Sequence, residues 1–102
     1  FYAEETMIQH VVIYKFKNPS EELFSAVAEN FQTIKGNVPG LLRLDCGKDV
    51  IRLPRSYDFA LYCEFEDMAA YDRYQTAPLH LAVKEFMKTV VEESHSVDWE
   101  NK

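Results

Sequence analysis

Two segments of this chain alternate like β-strands yet are apolar on both faces, and that pattern limits the folds open to it. The segment Met7–Lys17 is rich in Val, Ile, Tyr and Phe and contains no Gly or Pro. Because successive side chains of a strand point to opposite faces, Val11 and Val12 lie on different faces, each with apolar neighbours two residues away. The segment Tyr57–Phe65 repeats the pattern. Such strands are typical of a sheet that is covered on both sides.

A chain of this length has few residues with which to cover both faces of such a sheet. Its 102 residues are room for one domain but not for two independent cores. Hydrophobic residues make up 47% and charged residues 27%, a balance typical of a folded globular chain. Seven Phe, six Tyr and one Trp are more aromatic surface than a chain of this size covers easily by itself.

Charge and composition exclude several classes of protein. The net charge is −6 and no basic patch is present, so we expect no nucleic-acid partner. No apolar run approaches ~18 residues and no signal-peptide pattern appears, so we expect no membrane partner and a cytoplasmic location. Cys46 and Cys63 are too few for a disulfide scaffold and lack metal-ligand spacing, so we expect buried free thiols.

The order of elements can be predicted along the chain. Residues 1–6 match no later pattern, so we expect a short native extension or a remnant of an expression vector, followed by one domain over residues 7–102. The predicted elements are a strand at Met7–Lys17, a helix capped by Asn18 and ending near Lys35, strands at Leu41–Lys48 and Tyr57–Phe65, a helix capped by Asp67, a helix from Pro78 to about Glu92, and a strand at Glu93–Glu100.

This β-α-β-β-α-α-β order predicts an α+β, ferredoxin-like fold with helices on one face of a four-stranded antiparallel sheet. The helices cover only one face, which leaves Val11, Ile13 and Tyr62 on the other. A second copy packed sheet to sheet supplies the missing cover, so we expect a homodimer that closes into an α/β barrel. The alternative is a monomer with one partly wet aromatic face.

Several features together resemble the stress-responsive dimeric α/β-barrel (Dabb) domain family. They are the first strand from Met7 to Lys17, the Val38-Pro39-Gly40 turn, Arg55 to Leu61, Tyr74 through Pro78 to His80, and Val97-Asp98-Trp99. The match extends from Met7 to about Glu100, and the order and spacing of the pieces are more specific than any one of them. The resemblance implies a homodimer in which two four-stranded sheets form a barrel.

The family includes plant stress-induced proteins and the polyketide cyclase olivetolic acid cyclase. In that enzyme a Tyr and a His six residues later serve an aldol-type ring closure, and Tyr74 and His80 have the same spacing. A His on its first strand lines its pocket, and His10 matches that position. The chain departs from the enzyme at Ala77, where the enzyme has a second His, and at Val91, in a region of pocket aromatics. The enzyme's substrate therefore does not carry over to this chain.

His10, Tyr74 and His80 form the one chemically informative set in the sequence. An imidazole acts as a general base or acid near neutral pH, and a tyrosyl hydroxyl can hold a carbonyl oxygen. We expect His80 to abstract a proton next to a carbonyl while Tyr74 positions the oxygen, in a pocket for a small apolar or carbonyl-containing ligand. The residues expected to line that pocket are His10, Val12, Tyr14, Val83 and Met87.

Other interpretations of these residues stay open. His10 and His80 can be core histidines that serve packing, and no metal-ligand spacing connects them, so we expect no metal and no cofactor. Three functions are compatible with the sequence: a small-molecule pocket protein of cyclase or isomerase type, a non-catalytic stress-related dimer, and a cofactor-free oxygenase or haem-handling relative. A cavity that reaches His80 and Tyr74 favours the first, and one filled by Phe24, Phe31 and Phe86 favours the second.

The remaining charges are expected to be solvated. Arg52 and Arg55 lie in the loop Asp49–Ser56, where an anion site at the rim is the alternative. Asp98 belongs to an acidic tail that we interpret as a solvated edge strand, because charge on an edge discourages further pairing.

Overall fold

The computed structural model describes residues 6–101 of the protein. The predicted extension at residues 1–6 therefore lies, except for Thr6, outside the described residues. The elements are β1 (Met7–Phe16), α1 (Glu21–Gln32), β2 (Leu41–Lys48), β3 (Phe59–Phe65), α2 (Met68–Thr76), α3 (Pro78–Val90) and β4 (Val91–Asn101). The predicted order of strands and helices is confirmed.

The four strands form one antiparallel sheet in the order β2-β3-β1-β4. The ferredoxin-like α+β fold is thus confirmed, with β1 in the centre as its apolar character on both faces predicted. Val12 pairs with Leu61 on β3 and with Ser96 on β4. The register places His10 opposite Cys63 on one side and Asp98 on the other, a juxtaposition that matters for the site below.

The core lies between the helices and one face of this sheet. Alternate residues of β3, from Phe59 to Phe65, are buried on this face, together with Ile8 and Phe16 of β1. The helices contribute buried side chains at Val27, Phe31, Ala70, Tyr74, Val83 and Met87. Burial of this apolar surface is the main stabilising contribution to the protomer.

The opposite face of the sheet carries apolar side chains that the protomer does not cover. Val97 is 64% exposed and Trp99 is 42% exposed. They pair with Val11 and Gln9 on β1, so they continue the apolar surface that the central strand presents on this side. The sequence pattern correctly predicted a sheet face without cover inside one chain.

The first helix begins later than predicted. Ser20, rather than Asn18, is the N-cap: its backbone is extended, and its side-chain oxygen accepts a hydrogen bond from the Leu23 amide at 3.1 Å. Pro19 therefore precedes the cap instead of occupying the first helical position. Asn and Ser are both common N-cap residues, and with Ser20 as the cap Glu21 and Glu22 lie in the first turn, where acidic side chains are favourable.

The same helix ends at Gln32 rather than near Lys35. After it, the Ile34 amide bonds the Phe31 carbonyl three residues back, which tightens the chain into turns. Gly36 lies at φ 78°, as expected for a residue that ends this segment. Gly40 lies at φ 86°, and a Cβ at that position would come within 2.4 Å of the Ala70 Cβ, so only glycine fits between β2 and α2.

The last helix and strand meet two residues earlier than predicted. Helix α3 ends at Val90 and β4 starts at Val91, which is already extended at φ −86° and ψ 130°. The Lys17 amide donates to the Val90 carbonyl at 2.9 Å and ties this junction to the end of β1. The predicted helix was too long because Val91, the first residue of β4, is apolar and continues the apolar stripe of α3 in the sequence. Strand β3 also differs from the prediction, because it begins at Phe59 rather than at Tyr57.

A register shift in β2 changes the expected position of Leu42. The pairing moves between Leu41 and Arg43, so Leu41 lies opposite Phe65 and Leu42 is 56% exposed. Strict alternation along Leu41–Lys48 predicts that Leu42 shares a face with Leu44 and Cys46. The prediction was wrong for Leu42, because one extra residue in a strand reverses the alternation locally.

The loop before β3 is held by an ion pair between the buried Asp58 and the exposed Arg52. Asp58 is buried and accepts hydrogen bonds from the Phe16 amide at 2.9 Å and from the Arg52 guanidinium at 3.0 Å. Arg52 also bonds Asp49 and the Tyr57 carbonyl. Arg52 is exposed, as the sequence suggested for a solvated charge, and its guanidinium in addition closes the loop through these bonds.

Candidate functional site

A cleft of about 570 Å³ lies where α2 and α3 meet β1 and β4. It is large enough for a molecule of one or two rings. Its wall combines imidazole, hydroxyl and ammonium groups with an apolar floor. The lining residues are His10, Val12, Tyr14, Tyr71, Gln75, His80, Lys84, Met87, Lys88, Val91, Ser94, His95 and Ser96.

The cleft brings together five of the seven predicted site residues. His10, His80, Val12, Tyr14 and Met87 line it, whereas Val83 and Tyr74 do not. Both of the latter are buried in the core behind the wall. The side chains of Phe24, Phe31 and Phe86 are absent from the lining as well, so they do not fill this space.

The position of His80 follows from a break between two helices. In an unbroken helix the Tyr74 carbonyl would accept a hydrogen bond from the amide of residue 78, but Pro78 has no amide hydrogen. Pro78 instead begins α3, and the Tyr74 carbonyl at the end of α2 accepts from the Ala77 amide at 3.3 Å and is available to a second donor. His80 Nδ1 lies 2.8 Å from this carbonyl oxygen.

This contact decides the tautomer of the neutral His80 ring. A carbonyl oxygen only accepts hydrogen bonds, so Nδ1 carries the hydrogen and donates it. Nε2 is then the unprotonated nitrogen. The ring is also stacked on the Tyr74 ring, with centroids 3.8 Å apart and planes inclined by 16°. His80 is therefore fixed in orientation by one hydrogen bond and one aromatic face.

The environment of His80 favours its neutral form. Burial lowers the pKa of the imidazole below its usual value of 6.5, because the charged ring would lose hydration. The neighbouring positive charges of Lys84 and His10 lower this pKa further, and the bond to the Tyr74 carbonyl offsets part of the effect. At neutral pH the ring is consequently a base with a free lone pair.

His10 is held in a comparable way by a carboxylate. Its Nδ1 is hydrogen-bonded to the Asp98 carboxylate from the adjacent strand β4. The two residues are direct cross-strand partners, so their side chains meet on the helix-facing side of the sheet. In the neutral ring this leaves Nε2 of His10 unprotonated. Tyr71 packs edge-on against the same ring at 5.9 Å and limits its rotation.

Two tyrosine hydroxyls complete the polar wall. Tyr14 and Tyr71 both line the cleft. Burial raises the pKa of each hydroxyl above its ordinary value of 10, so both remain protonated at neutral pH. A protonated phenol donates a hydrogen bond to an oxygen that gains negative charge, which is the role that the sequence had suggested for Tyr74.

Tyr74 itself lies behind His80 and is 0% exposed. Its hydroxyl has no conventional hydrogen-bond partner among residues 6–101, although the Cys63 thiol is a neighbour. Burial raises the pKa of this hydroxyl well above its ordinary range. What Tyr74 supplies to the site in this structure is its carbonyl oxygen and its ring face, both of which position His80.

Cys46 and Cys63 are free thiols on the neighbouring strands β2 and β3, as predicted, but only Cys63 is buried and Cys46 is partly exposed. Burial raises the pKa of the Cys63 thiol to about 12, so this group is not a nucleophile at neutral pH. Within residues 6–101, no group of three or more His, Cys, Asp or Glu side chains could hold a metal ion. In the same range, no helix is long and apolar enough to cross a membrane.

Sequence reasoning missed several residues of the site. Asp98 was interpreted as a solvated edge charge, but it pairs with His10. The strand alternation could have shown this. Val97 and Trp99 face away from the helices, so Asp98, which lies between them, faces toward the helices. Tyr71 and Lys84 were missed because helical spacing alone did not show which helix side borders β4.

Comparison with known proteins identifies the family. The family model described as the stress responsive A/B barrel domain matches residues 8–101. The chain belongs to this Dabb family. The resemblance that the sequence motifs carried is thus confirmed over nearly the whole chain.

Known relatives of this Dabb protein share the fold at low sequence identity. An uncharacterised protein of Streptomyces coelicolor is 30% identical over 79 residues, covering 74% of this chain and 81% of that protein. A dimeric ferredoxin-like protein of Thermobifida fusca superposes with a TM-score of 0.87 at 18% identity, covering 98% and 95% of the two chains. A hydroxynitrile lyase of Passiflora edulis superposes with a TM-score of 0.81 at 12% identity, covering 97% and 96%.

Proposed function

We propose that the protein binds a small apolar or carbonyl-containing molecule in this cleft and transfers a proton next to its carbonyl group, in the manner of a cyclase or isomerase. One observation carries the proposal. The Nδ1–H of His80 is committed to the Tyr74 carbonyl, which leaves a neutral Nε2 as the base. A hydroxynitrile lyase is built on the same fold, which supports a catalytic use of such a cleft.

In the proposed step, His80 Nε2 takes a proton from the carbon next to the ligand's carbonyl group. The C–H bonding electrons move into the carbonyl, and its oxygen becomes an enolate oxygen. The hydroxyl of Tyr71 or Tyr14 donates a hydrogen bond to that oxygen. Return of the proton to the same or another carbon gives isomerisation, and attack of the carbanion on a second carbonyl gives ring closure.

His10 has a supporting role in this scheme. Asp98 orients the ring through Nδ1, as a carboxylate does when it orients a catalytic histidine. Protonated His10 can then deliver a proton from Nε2 to the enolate oxygen or to a leaving group. The two imidazoles thus divide the work, with His80 as base and His10 as acid.

We further propose that the functional unit is a homodimer joined through the open sheet face. The apolar surface formed by Val11, Val97 and Trp99 supports this, because a monomer would leave it in water. The Thermobifida fusca protein of the same fold is described as dimeric. Sheet-to-sheet packing around a two-fold axis would close the barrel.

The catalytic proposal can be tested without the natural substrate. The protein is incubated in D₂O with aryl methyl ketones and 1,3-diketones, and deuterium incorporation next to the carbonyl is followed by NMR. We expect the wild type to accelerate exchange. His80→Gln should reduce this acceleration about tenfold or more, and His10→Gln should reduce it less. Circular dichroism and thermal unfolding confirm that both variants fold.

Two results would contradict the proposal. Exchange by His80→Gln at the wild-type rate would remove His80 from the mechanism. Ligand binding in the cleft without any accelerated exchange, over the whole panel, would instead favour the non-catalytic stress-related dimer. An absorption band in the visible region of the purified protein would favour the haem-handling alternative.

A further inference from the structure

Among the residues that the structure describes, the cleft contains one unpaired cation, Lys84, on a chain whose net charge is negative. The protein has 17 acidic and 11 basic side chains and a net charge of −6. The lining of the cleft includes two lysines and three histidines, of which His10, Lys88 and His95 are each bonded to a neighbouring carboxylate. The cation that is left over attracts anions locally, while the acidic surface of the rest of the protein repels them.

Lys84 is the cation best placed to bind such an anion. It lies on α3 four residues after His80, so the two side chains share one helix face about 5–6 Å apart at their Cβ atoms. Within residues 6–101 it takes part in no ion pair, whereas Lys88 is paired with Glu85 at 3.2 Å. The positive charge of Lys84 also acts on the pKa of His80, which indicates that both groups face the same space.

The remaining lining residues complete a site with two unlike halves. Val12, Met87 and Val91 form an apolar part, and the volume of 570 Å³ suits one or two rings. Ser94 and Ser96 lie on the β4 side and supply neutral hydrogen-bond donors. A ligand that satisfies both halves is apolar over most of its length and anionic at one end.

We infer that the cleft selects apolar carboxylic acids, with the carboxylate bound by Lys84 and the ring or chain bound by the apolar part beside His80. This inference rests on the proposed function and specifies its substrate class. It also assigns Lys84 as a specificity-determining residue. In this arrangement the carboxylate is held one helical turn from the base, which fixes the carbon that His80 reaches.

Matched acid and amide probes test the inference. The pairs benzoate and benzamide, 2-naphthoate and 2-naphthamide, and 4-phenylbutyrate and 4-phenylbutyramide differ little except in charge. Binding is measured by calorimetry and by amide chemical shifts in NMR. Lys84→Gln removes the unpaired cation of the cleft, and Lys35→Gln is the control, because Lys35 is also an exposed lysine but does not line the cleft.

We expect the wild type to bind each acid about tenfold more tightly than its amide, as a charge-assisted hydrogen bond allows. Lys84→Gln should lose this preference while its affinity for the amides is unchanged, and Lys35→Gln should retain it. Added salt should weaken the binding of the acids but not the binding of the amides.

The outcomes separate the two proposals. Equal affinity for acids and amides, unchanged in Lys84→Gln, would overturn the carboxylate inference but leave a neutral-ligand pocket in place. If no probe of either kind bound the wild type or shifted the signals of His10 and His80, the pocket function itself would be overturned.

Discussion

Tyr74 shows how one residue can serve the site without facing it. Its hydroxyl is buried and lacks a conventional partner, which costs about 1–3 kcal/mol in a typical protein interior, whereas its ring and carbonyl hold His80. We expect Tyr74→Phe to leave the free energy of unfolding unchanged or to raise it by ~1 kcal/mol. Proton exchange should stay within about twofold of wild type. Urea denaturation and the D₂O assay measure both, and a tenfold loss of exchange would return the hydroxyl to the mechanism.

The buried His80 ring should leave a signature in the pH dependence of stability and exchange. Its pKa lies below 6.5 in the folded protein, so between the two pKa values the unfolded chain binds more protons than the folded one. The stabilising contribution of the neutral ring is therefore complete above pH 6.5 and falls as the pH drops toward the folded pKa. We expect exchange to persist below pH 6.5 before it declines, because the base stays neutral there.

The control for this prediction is His80→Gln, which has no titrating group at that position. Its free energy of unfolding should depend less steeply on pH just below pH 6.5 than that of the wild type. Parallel curves for the two proteins would show that His80 titrates normally. Direct NMR titration of the His80 ring protons provides a second measurement of the same pKa.

At the scale of elements, the break between α2 and α3 positions the proposed base. Pro78 denies the Tyr74 carbonyl its helical partner, and the carbonyl accepts from His80 and from the Ala77 amide instead. In Pro78→Ala an amide hydrogen becomes available, and it competes with His80 for that carbonyl. We expect about a tenfold loss of exchange with the fold retained, and an altered His80 titration in NMR. Wild-type exchange and an unmoved titration would mean that packing alone holds the ring.

The start of α1 offers a matched pair of substitutions. Ser20 caps the helix by accepting from the Leu23 amide, whereas Asn18, which the sequence also offered as a cap, lies two residues earlier. We expect Ser20→Ala to lower the free energy of unfolding by about 1 kcal/mol and Asn18→Ala to change it by less than ~0.5 kcal/mol. Equal losses in the two variants, measured by urea denaturation, would mean that the cap is shared.

The elements also show what the sequence could and could not predict. Periodicity predicted every strand and helix, because alternation and the helical stripe are local properties. It did not predict the exposed position of Leu42, because a bulge depends on pairing with β3. The same limit applies to the site: His10 and His80 were found by residue type, but the pairing of His10 with Asp98 needs the β1–β4 register, which no local pattern contains.

At the scale of the whole molecule, the open sheet face is an apolar surface that one chain leaves exposed to water. The proposed dimer buries Val97, which is 64% exposed in the protomer, so Val97→Glu places a charge in the interface without disturbing the protomer core. Val50 is 73% exposed in the β2–β3 loop, away from that face, and Val50→Glu is the matched control.

We expect the wild type and Val50→Glu to sediment as dimers at micromolar concentration. Val97→Glu should raise the dissociation constant at least tenfold, since a buried unpaired charge costs more than about 1.4 kcal/mol. A monomeric wild type would contradict the proposed dimer, and a Val97→Glu dimer as stable as the control would place the interface elsewhere. Because β4 carries Val97 on one face and the Asp98 that orients His10 on the other, dissociation should also loosen the site, and Val97→Glu should lose proton exchange in parallel with its dimer.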